Sequence, residues 1–237
     1  MKRLNKITLN VLPYHWQEYL RVQRVRKEFD WYRFNDPQYN LLKAFDEHQA
    51  LFIHIPKTAG ISVRESLFQT SGFGKHVKAI TYKYYLGNIQ FKRYFKFTFV
   101  RNPWSRALSA YFFLQGGGIN EWDRQWSERV LSKYPNFEQF VMEWLSEKNS
   151  FTWLHFIPQY YWVCDHKNRN QMDFTGRMET LEQDYDIIRA KTGIGGPMVY
   201  KNKGAGIVDY RDYYSDVMQK KVGEVYKTDI EMFGYNF

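Results

Sequence analysis

Only one cysteine, Cys164, occurs among the 237 residues. It has no partner for an internal disulfide and cannot build a thiolate zinc site, so a disulfide-stapled secreted scaffold is excluded and a reducing compartment fits. Long hydrophobic runs are missing too. The apolar stretches around Leu51 to Ile55 and Phe97 to Val100 have strand length, well short of the roughly 18 residues a membrane-spanning helix needs. The N-terminal MKRLNKITLNVLPYHW has basic residues but neither an apolar h-region nor a small-residue cleavage site, which reads as an unexported chain without an integral membrane segment. Histidine is sparse, at positions 15, 48, 54, 76, 155 and 166. No HExxH and no carboxylate pattern at metal-binding spacing accompanies these histidines, so no metal is expected. Internal repeats, low-complexity tracts and an interdomain linker are likewise absent.

What is present describes a folded globule. Hydrophobic residues make up 44% and aromatics 19% of the chain, far from the composition of disorder. With 34 Lys and Arg against 25 Asp and Glu, the net charge is +9, which favours an anionic partner. The length fits a single domain with a core of its own.

Periodicity gives the order of elements. Tyr14 to Arg33 spaces its apolar residues as an amphipathic helix. The run Leu51 to Ile55 reads as a buried parallel strand, Pro56 ends it, Gly60 permits a tight turn, and Ser62 to Gln69 returns to helical spacing. The same strand, loop and helix recur from Lys96 to Val100, across Asn102-Pro103, into a helix stopped by the glycines at 116 to 118. Two such units predict an α/β fold with a central, mostly parallel sheet flanked by helices. Two amphipathic helices are expected between Asn120 and Lys148, parted at Tyr134-Pro135. Short strands are expected at Tyr161 to Cys164 and Phe174 to Met178, then a helix at Thr180 to Lys191. A glycine-rich basic loop follows at Gly193 to Gly206, and a last helix at Ser215 to Glu231.

Chemistry gathers at the two strand ends. A strand running through a short glycine-containing loop into a helix presents free N–H groups and the positive helix end, which suits a phosphate. In PKTAGIS that loop also carries Lys57 and the hydroxyls of Thr58 and Ser62. The GxxxxGK order of an ordinary ATPase is absent, because the lysine here precedes the glycine. The second strand ends in RNPWSRALSAY, with Arg101 at its carboxyl end and Ser109 in the helix beyond. In open α/β sheets ligands bind at such ends, and an arginine fork matches a phosphate. Two anion-suited turns in one sheet point to a ligand with phosphate-like groups at both ends.

These residues resemble a known family. HIPKTAGIS (54 to 62) is similar to the 5'-phosphosulfate loop, and RNPWSRALSAY (101 to 111) to the 3'-phosphate motif, of carbohydrate sulfotransferases that use 3'-phosphoadenosine 5'-phosphosulfate (PAPS). HFIPQYYWV (155 to 163), GRMETLEQDY (176 to 185) and the tail from 209 to 237 are similar as well. KNKG at 201 to 204 departs from the family's Asn-Lys-Ser/Thr. The resemblance implies a PAPS-binding, P-loop-like strand-loop-helix in a core at 51–237, preceded by a helical extension at 1–50. It implies that Lys57 stabilises the leaving phosphate oxygen, that the loop from Thr58 through Ala59, Gly60 and Ile61 to the Ser62 hydroxyl holds the 5' phosphosulfate, and that Arg101 and Ser109 hold the 3' phosphate. Asn202 and Lys203 would assist. The product would be 3'-phosphoadenosine 5'-phosphate, and the acceptor a hydroxyl of a carbohydrate or glycolipid, not a nucleic acid. Lacking the membrane anchor of Golgi-type relatives, the chain is expected to be cytoplasmic and bacterial.

The attacking alcohol needs a base. His76 lies between the two motifs, where the resemblance puts it. His155 stands beside aromatics suited to a sugar. His54 is inside the strand, and a carboxylate base is a further option. Arg177 and Glu179 read as structural ion-pair partners. Trp153, Phe156, Tyr160, Tyr161 and Trp162 are either core or sugar platform. Two rival readings remain: a nucleotide-dependent kinase, and a non-catalytic basic protein binding polysaccharide or nucleic acid.

Overall fold

A computed structural model describes residues 14–35, 41–69, 76–200 and 209–237. Its sheet has the order β1-β2-β3, all parallel, from Ala50–Ile53, Phe95–Val100 and Phe174–Arg177. Phe52 pairs with Phe97, and Phe97 with Phe174. Strand β1 is buried along its whole length and β2 nearly so, because helices cover both faces of a parallel sheet. The second ladder is tied at its start, where the Lys96 ammonium donates to Asp173 Oδ2 at 2.6 Å and to the Tyr94 carbonyl at 2.8 Å.

The helices are α1 (Tyr14–Asn35), α2 (Leu41–His48), α3 (Gly60–Phe68), α4 (Ala79–Arg93), α5 (Pro103–Gln115) and α6 (Glu121–Arg129). A short α7 (Phe137–Gln139) runs into a π-helical turn at Phe140–Trp144, and α8 is Glu147–Ser150. Then come α9 (Tyr160–Val163), α10 (Leu181–Thr192), α11 (Asp216–Val225) and α12 (Lys227–Phe233). Among the described residues, none of these is long and apolar enough to cross a membrane.

Two apolar clusters flank the site. One holds the sheet with α2, α3, α4 and α10, and Phe29 of α1 stacks on Tyr85 across 4.9 Å. The other lies under α5 and α11, where Phe140, Trp144, Trp126 and Phe156 interlock at ring separations of 4.9 to 5.9 Å.

Three expectations are corrected here. Tyr161 to Cys164 is not a strand: it lies in the helical turn α9 and leaves only an isolated antiparallel bridge, Cys164 to Asn170. The turn is fixed from outside, since both oxygens of the Asp229 carboxylate accept its first N–H groups, from Gln159 at 2.7 Å and Tyr160 at 2.8 Å. The last helix is two, broken at Tyr226, whose buried hydroxyl donates to the Phe156 carbonyl. Arg177 and Glu179 form no ion pair with each other. Tyr235 stands between them, its ring 4.5 Å below the Arg177 guanidinium and its hydroxyl donating to Glu179.

Candidate functional site

The loop between β1 and α3 is shaped by its own backbone. Lys57 and Ala59 both have left-handed φ, 71° and 59°, on either side of Thr58. Alternation of this kind turns successive N–H groups into a concave nest for an anion. Ala59 opens α3 with no side chain capping it, so the first-turn N–H groups of Gly60, Ile61 and Ser62 have no intrahelical acceptor. Thr58 is fully buried and spends its hydroxyl proton on the Ile55 carbonyl at 2.9 Å, bracing the turn. Gly60 is required by contact: a Cβ there would lie 1.9 Å from His54 Cδ2.

At the end of β2, Asn102 caps α5. Its Oδ1 accepts from Trp104 N–H at 3.1 Å and Ser105 N–H at 3.3 Å, while its amide donates to the Asn236 carbonyl at 2.8 Å. Arg101 beside it is held by main chain and side chain alike. The Gln159 amide closes a two-way pair with the Arg101 peptide, 2.9 and 2.8 Å long, and Arg101 Nε donates to Ser105 Oγ at 2.9 Å. Ser105, one helical turn before Ser109 and on the same face, is thus the hydroxyl that Arg101 touches; Ser109 is half-buried on α5.

The two loops meet. Arg101 Nη1 lies 3.5 Å from the Lys57 carbonyl. Lys57 Nζ rests 3.8 Å above the Phe113 ring, and that ring meets His155 edge-on at 4.9 Å. Burial, then the charge of Arg101, pushes the Lys57 ammonium down to about 8, with Asp123 opposing and Arg106 adding to the fall.

Two histidines have tautomers dictated by their acceptors. His76 Nδ1–H donates to the His54 carbonyl at 2.8 Å, which leaves Nε2 with the lone pair. Its ring lies 4.2 Å from the His54 ring, and burial pushes its pKa down to about 4. His155 Nε2–H donates to Asp123 Oδ1 at 3.0 Å, so its lone pair sits on Nδ1, which is buried without a partner. Asp123 is itself fixed: its Oδ2 accepts from the Ile119 N–H, and its own N–H donates to Asn120 Oδ1. Little in the local sequence marks Asp123 or Arg106. Asp123 stands in an ordinary helix start; Arg106 was betrayed only by its place among Ala107, Leu108 and Ala110 on an apolar helix face. Asn202 and Lys203 lie outside the described residues. Among the described residues no group of three or more His, Cys, Asp or Glu is placed to hold a metal.

Comparison with known proteins bears on this arrangement. The model of the Sulfotransferase family matches residues 41–236. The chain is similar to carbohydrate sulfotransferase 12 of Xenopus laevis, at 26% identity over 180 residues, covering 62% of this chain and 41% of that protein. It is similar to carbohydrate sulfotransferase 11 of Rattus norvegicus, at 25% over 233 residues, covering 81% and 66% respectively. Carbohydrate sulfotransferase 14 of Danio rerio matches at 26% over 229 residues, 80% of this chain and 60% of that protein. The matched region therefore spans less than two thirds of the length of each of these relatives, as little as 41% in the first. No solved structure is significantly similar to the chain. With its two anion-suited strand ends joined at Lys57 and Arg101, and a family match running through both, this chain belongs to the sulfotransferase family.

Proposed function

We propose that the protein is a PAPS-dependent O-sulfotransferase acting on a hydroxyl of a carbohydrate or glycolipid acceptor. The observation that carries the reading is the junction of the two loops, where Arg101 Nη1 reaches the Lys57 carbonyl and two cationic residues meet at the carboxyl ends of neighbouring strands. When bound, PAPS supplies the activated sulfuryl group and a phosphate leaving group. Lys57 stabilises the charge that grows on that leaving oxygen, the kind of interaction that strengthens toward the transition state. The N–H groups of residues 58 to 62, with the Ser62 hydroxyl, hold the 5' end. Arg101 and Ser109 hold the 3' phosphate, with Ser105 orienting the Arg101 fork.

His76 is the base. Its proton sits on Nδ1 and is spent on the His54 carbonyl, so Nε2 accepts from the acceptor hydroxyl. His155 has its lone pair on a nitrogen that nothing from outside can reach, and serves instead to pin Asp123 beside the Lys57 pocket. The acceptor's ring has a surface at Tyr161, whose chain neighbour Trp162 lies 6.0 Å from the His76 ring. Lys78 Nζ lies 3.3 Å over the Tyr161 ring, Phe151 meets Tyr161 at 5.1 Å, and both rings are exposed. Aromatic faces with a nearby cation suit a sugar ring, and the relatives' name, carbohydrate sulfotransferase, supports that class.

The test is thermal stabilisation by 3'-phosphoadenosine 5'-phosphate, compared with AMP and ATP. A shift with the bisphosphate well beyond that with AMP is expected, because Arg101 and Ser109 find no partner in AMP. Equal shifts would remove the 3'-phosphate assignment; a shift with ATP alone would favour a kinase.

A further inference from the structure

Behind the Lys57 loop lies a charge that the donor reading leaves unused. Arg106, on the first turn and a half of α5, is 1% exposed. Its partners are main-chain carbonyls from two segments about fifty residues away: Nε donates to Pro56 at 3.1 Å, and Nη2 to His155 at 3.2 Å and Ile157 at 2.7 Å. A buried cation held by carbonyls, with no carboxylate in contact among the described residues, is an expensive way to fill a helix face whose neighbours are Ala107, Leu108 and Ala110. The nearby Asp229 carboxylate is engaged by the Gln159 and Tyr160 N–H groups.

The geometry of the peptide unit says what the guanidinium does. The Pro56 carbonyl and the Lys57 N–H belong to one planar group, and the chain has no cis bonds among its described residues, so the two point in opposite directions. Gripping the carbonyl from the core side turns the Lys57 N–H away from the core. The same grip holds Lys57 in its left-handed φ of 71°, a conformation that a lysine keeps only under outside constraint. The second arm of the planar fork fixes the His155–Ile157 segment, and with it His155 and Asp123, to the same point.

Resting on the donor reading above, we infer that Arg106 is a positioning residue of the donor site, which aims the Lys57 peptide outward and adds a fixed positive charge from beneath the loop. Charge and tether are separable. Lys57 is faced by Arg101 from the end of β2, Arg106 from α5, Asp123 from α6 and His155 from the segment before α9. At alkaline pH, Asp123 is ionised and His155 neutral, so removing the Arg106 charge lets the Lys57 ammonium hold its proton to higher pH.

The experiment compares wild type, Arg106→Met and Arg106→Lys by calorimetric affinity for 3'-phosphoadenosine 5'-phosphate, by the pH dependence of kcat/KM and by thermal melting. Arg106→Met should weaken bisphosphate binding at least tenfold and move the alkaline limb upward. Arg106→Lys keeps the charge but cannot span three carbonyls, so it should lose affinity with the limb unmoved. A folded Arg106→Met with wild-type affinity and limb overturns the inference. If just one variant folds, its affinity decides; if neither melts cooperatively, Arg106 serves folding alone and the inference falls. Failure of wild type to bind the bisphosphate would instead overturn the donor reading itself.

Discussion

Lys57 is the residue on which the proposed chemistry turns, and its ammonium is pushed down to about 8. The charged form is the active one, so turnover should fall as pH rises through about 8, and a pH profile of kcat/KM reads this directly. Lys57→Ala should lower kcat by more than it weakens donor binding. A change confined to the donor KM would reassign the lysine to ground-state binding. Loss of a charge-assisted hydrogen bond costs about 1.5 to 3 kcal/mol, so Arg101→Ala should weaken bisphosphate binding roughly 10- to 150-fold in a titration. For His76→Ala the expectation is a turnover loss of about 100-fold or more with bisphosphate affinity nearly intact. His155→Ala should act differently, through Asp123 and the Lys57 pocket, so that donor affinity and the alkaline limb both change. At this scale the sequence exposed whatever announces itself by chemistry next to a strand end: Lys57, Thr58, Ser62, Arg101. It hid Asp123 and Arg106, because their value comes from groups brought close only by folding, 32 residues away for the His155 bond and 50 for the Pro56 bond.

At the scale of elements, Gly60 couples the first turn of α3 to the end of β1. Gly60→Ala would drive a methyl group into the His54 ring, and the His54 ring packs on His76, so displacement passes to the proposed base. Reduced turnover together with a lowered Tm is expected; wild-type turnover in Gly60→Ala would show that the His54 position is irrelevant to the base. Both strand-loop-helix units were legible because a buried parallel strand and its helix carry their own periodicity, and the observed ends of β1 and β2 lie within two residues of those expected. Helix α4 was not legible: its ITYKYYLGNIQ carries tyrosines on several faces and Gly87 sits in it with φ of +80°, so no clean stripe forms. The apolar run at α9 looked like a strand because nothing near it in sequence reveals Asp229, which caps it from about seventy residues away.

For the whole molecule, three half-buried or buried histidines next to the site predict acid sensitivity. His54, His76 and His155 all have pKa values lowered chiefly by burial, His76 to about 4. Their unfolded counterparts take up protons near 6.5 while the native forms stay neutral, so the unfolded state binds more protons and stability falls as pH drops from about 6.5 toward 4. His76 contributes a slope of up to roughly 1.4 kcal/mol per pH unit in that window, His54 and His155 act in the same direction, and above about pH 6.5 the effect vanishes. Urea titrations at pH 7, 6 and 5 measure it; a flat stability over that range would mean the rings are not buried as described.

The proposed donor site also depends on chain that lies far downstream. Asn102 donates to the Asn236 carbonyl across 134 residues, Glu179 receives the Tyr235 hydroxyl, the Arg177 guanidinium donates to the Phe233 carbonyl, and Phe237 packs on Trp104 and Tyr214. At about 5 to 20 residues per second, synthesis leaves the Arg101 strand end waiting on the order of 7 to 27 s for the segment that completes it. A ribosome that stops between residues 226 and 233 releases a chain that has all three strands but lacks Phe233, Tyr235 and Asn236, so the turn proposed to hold the 3' phosphate loses its downstream partners and such products should be inactive.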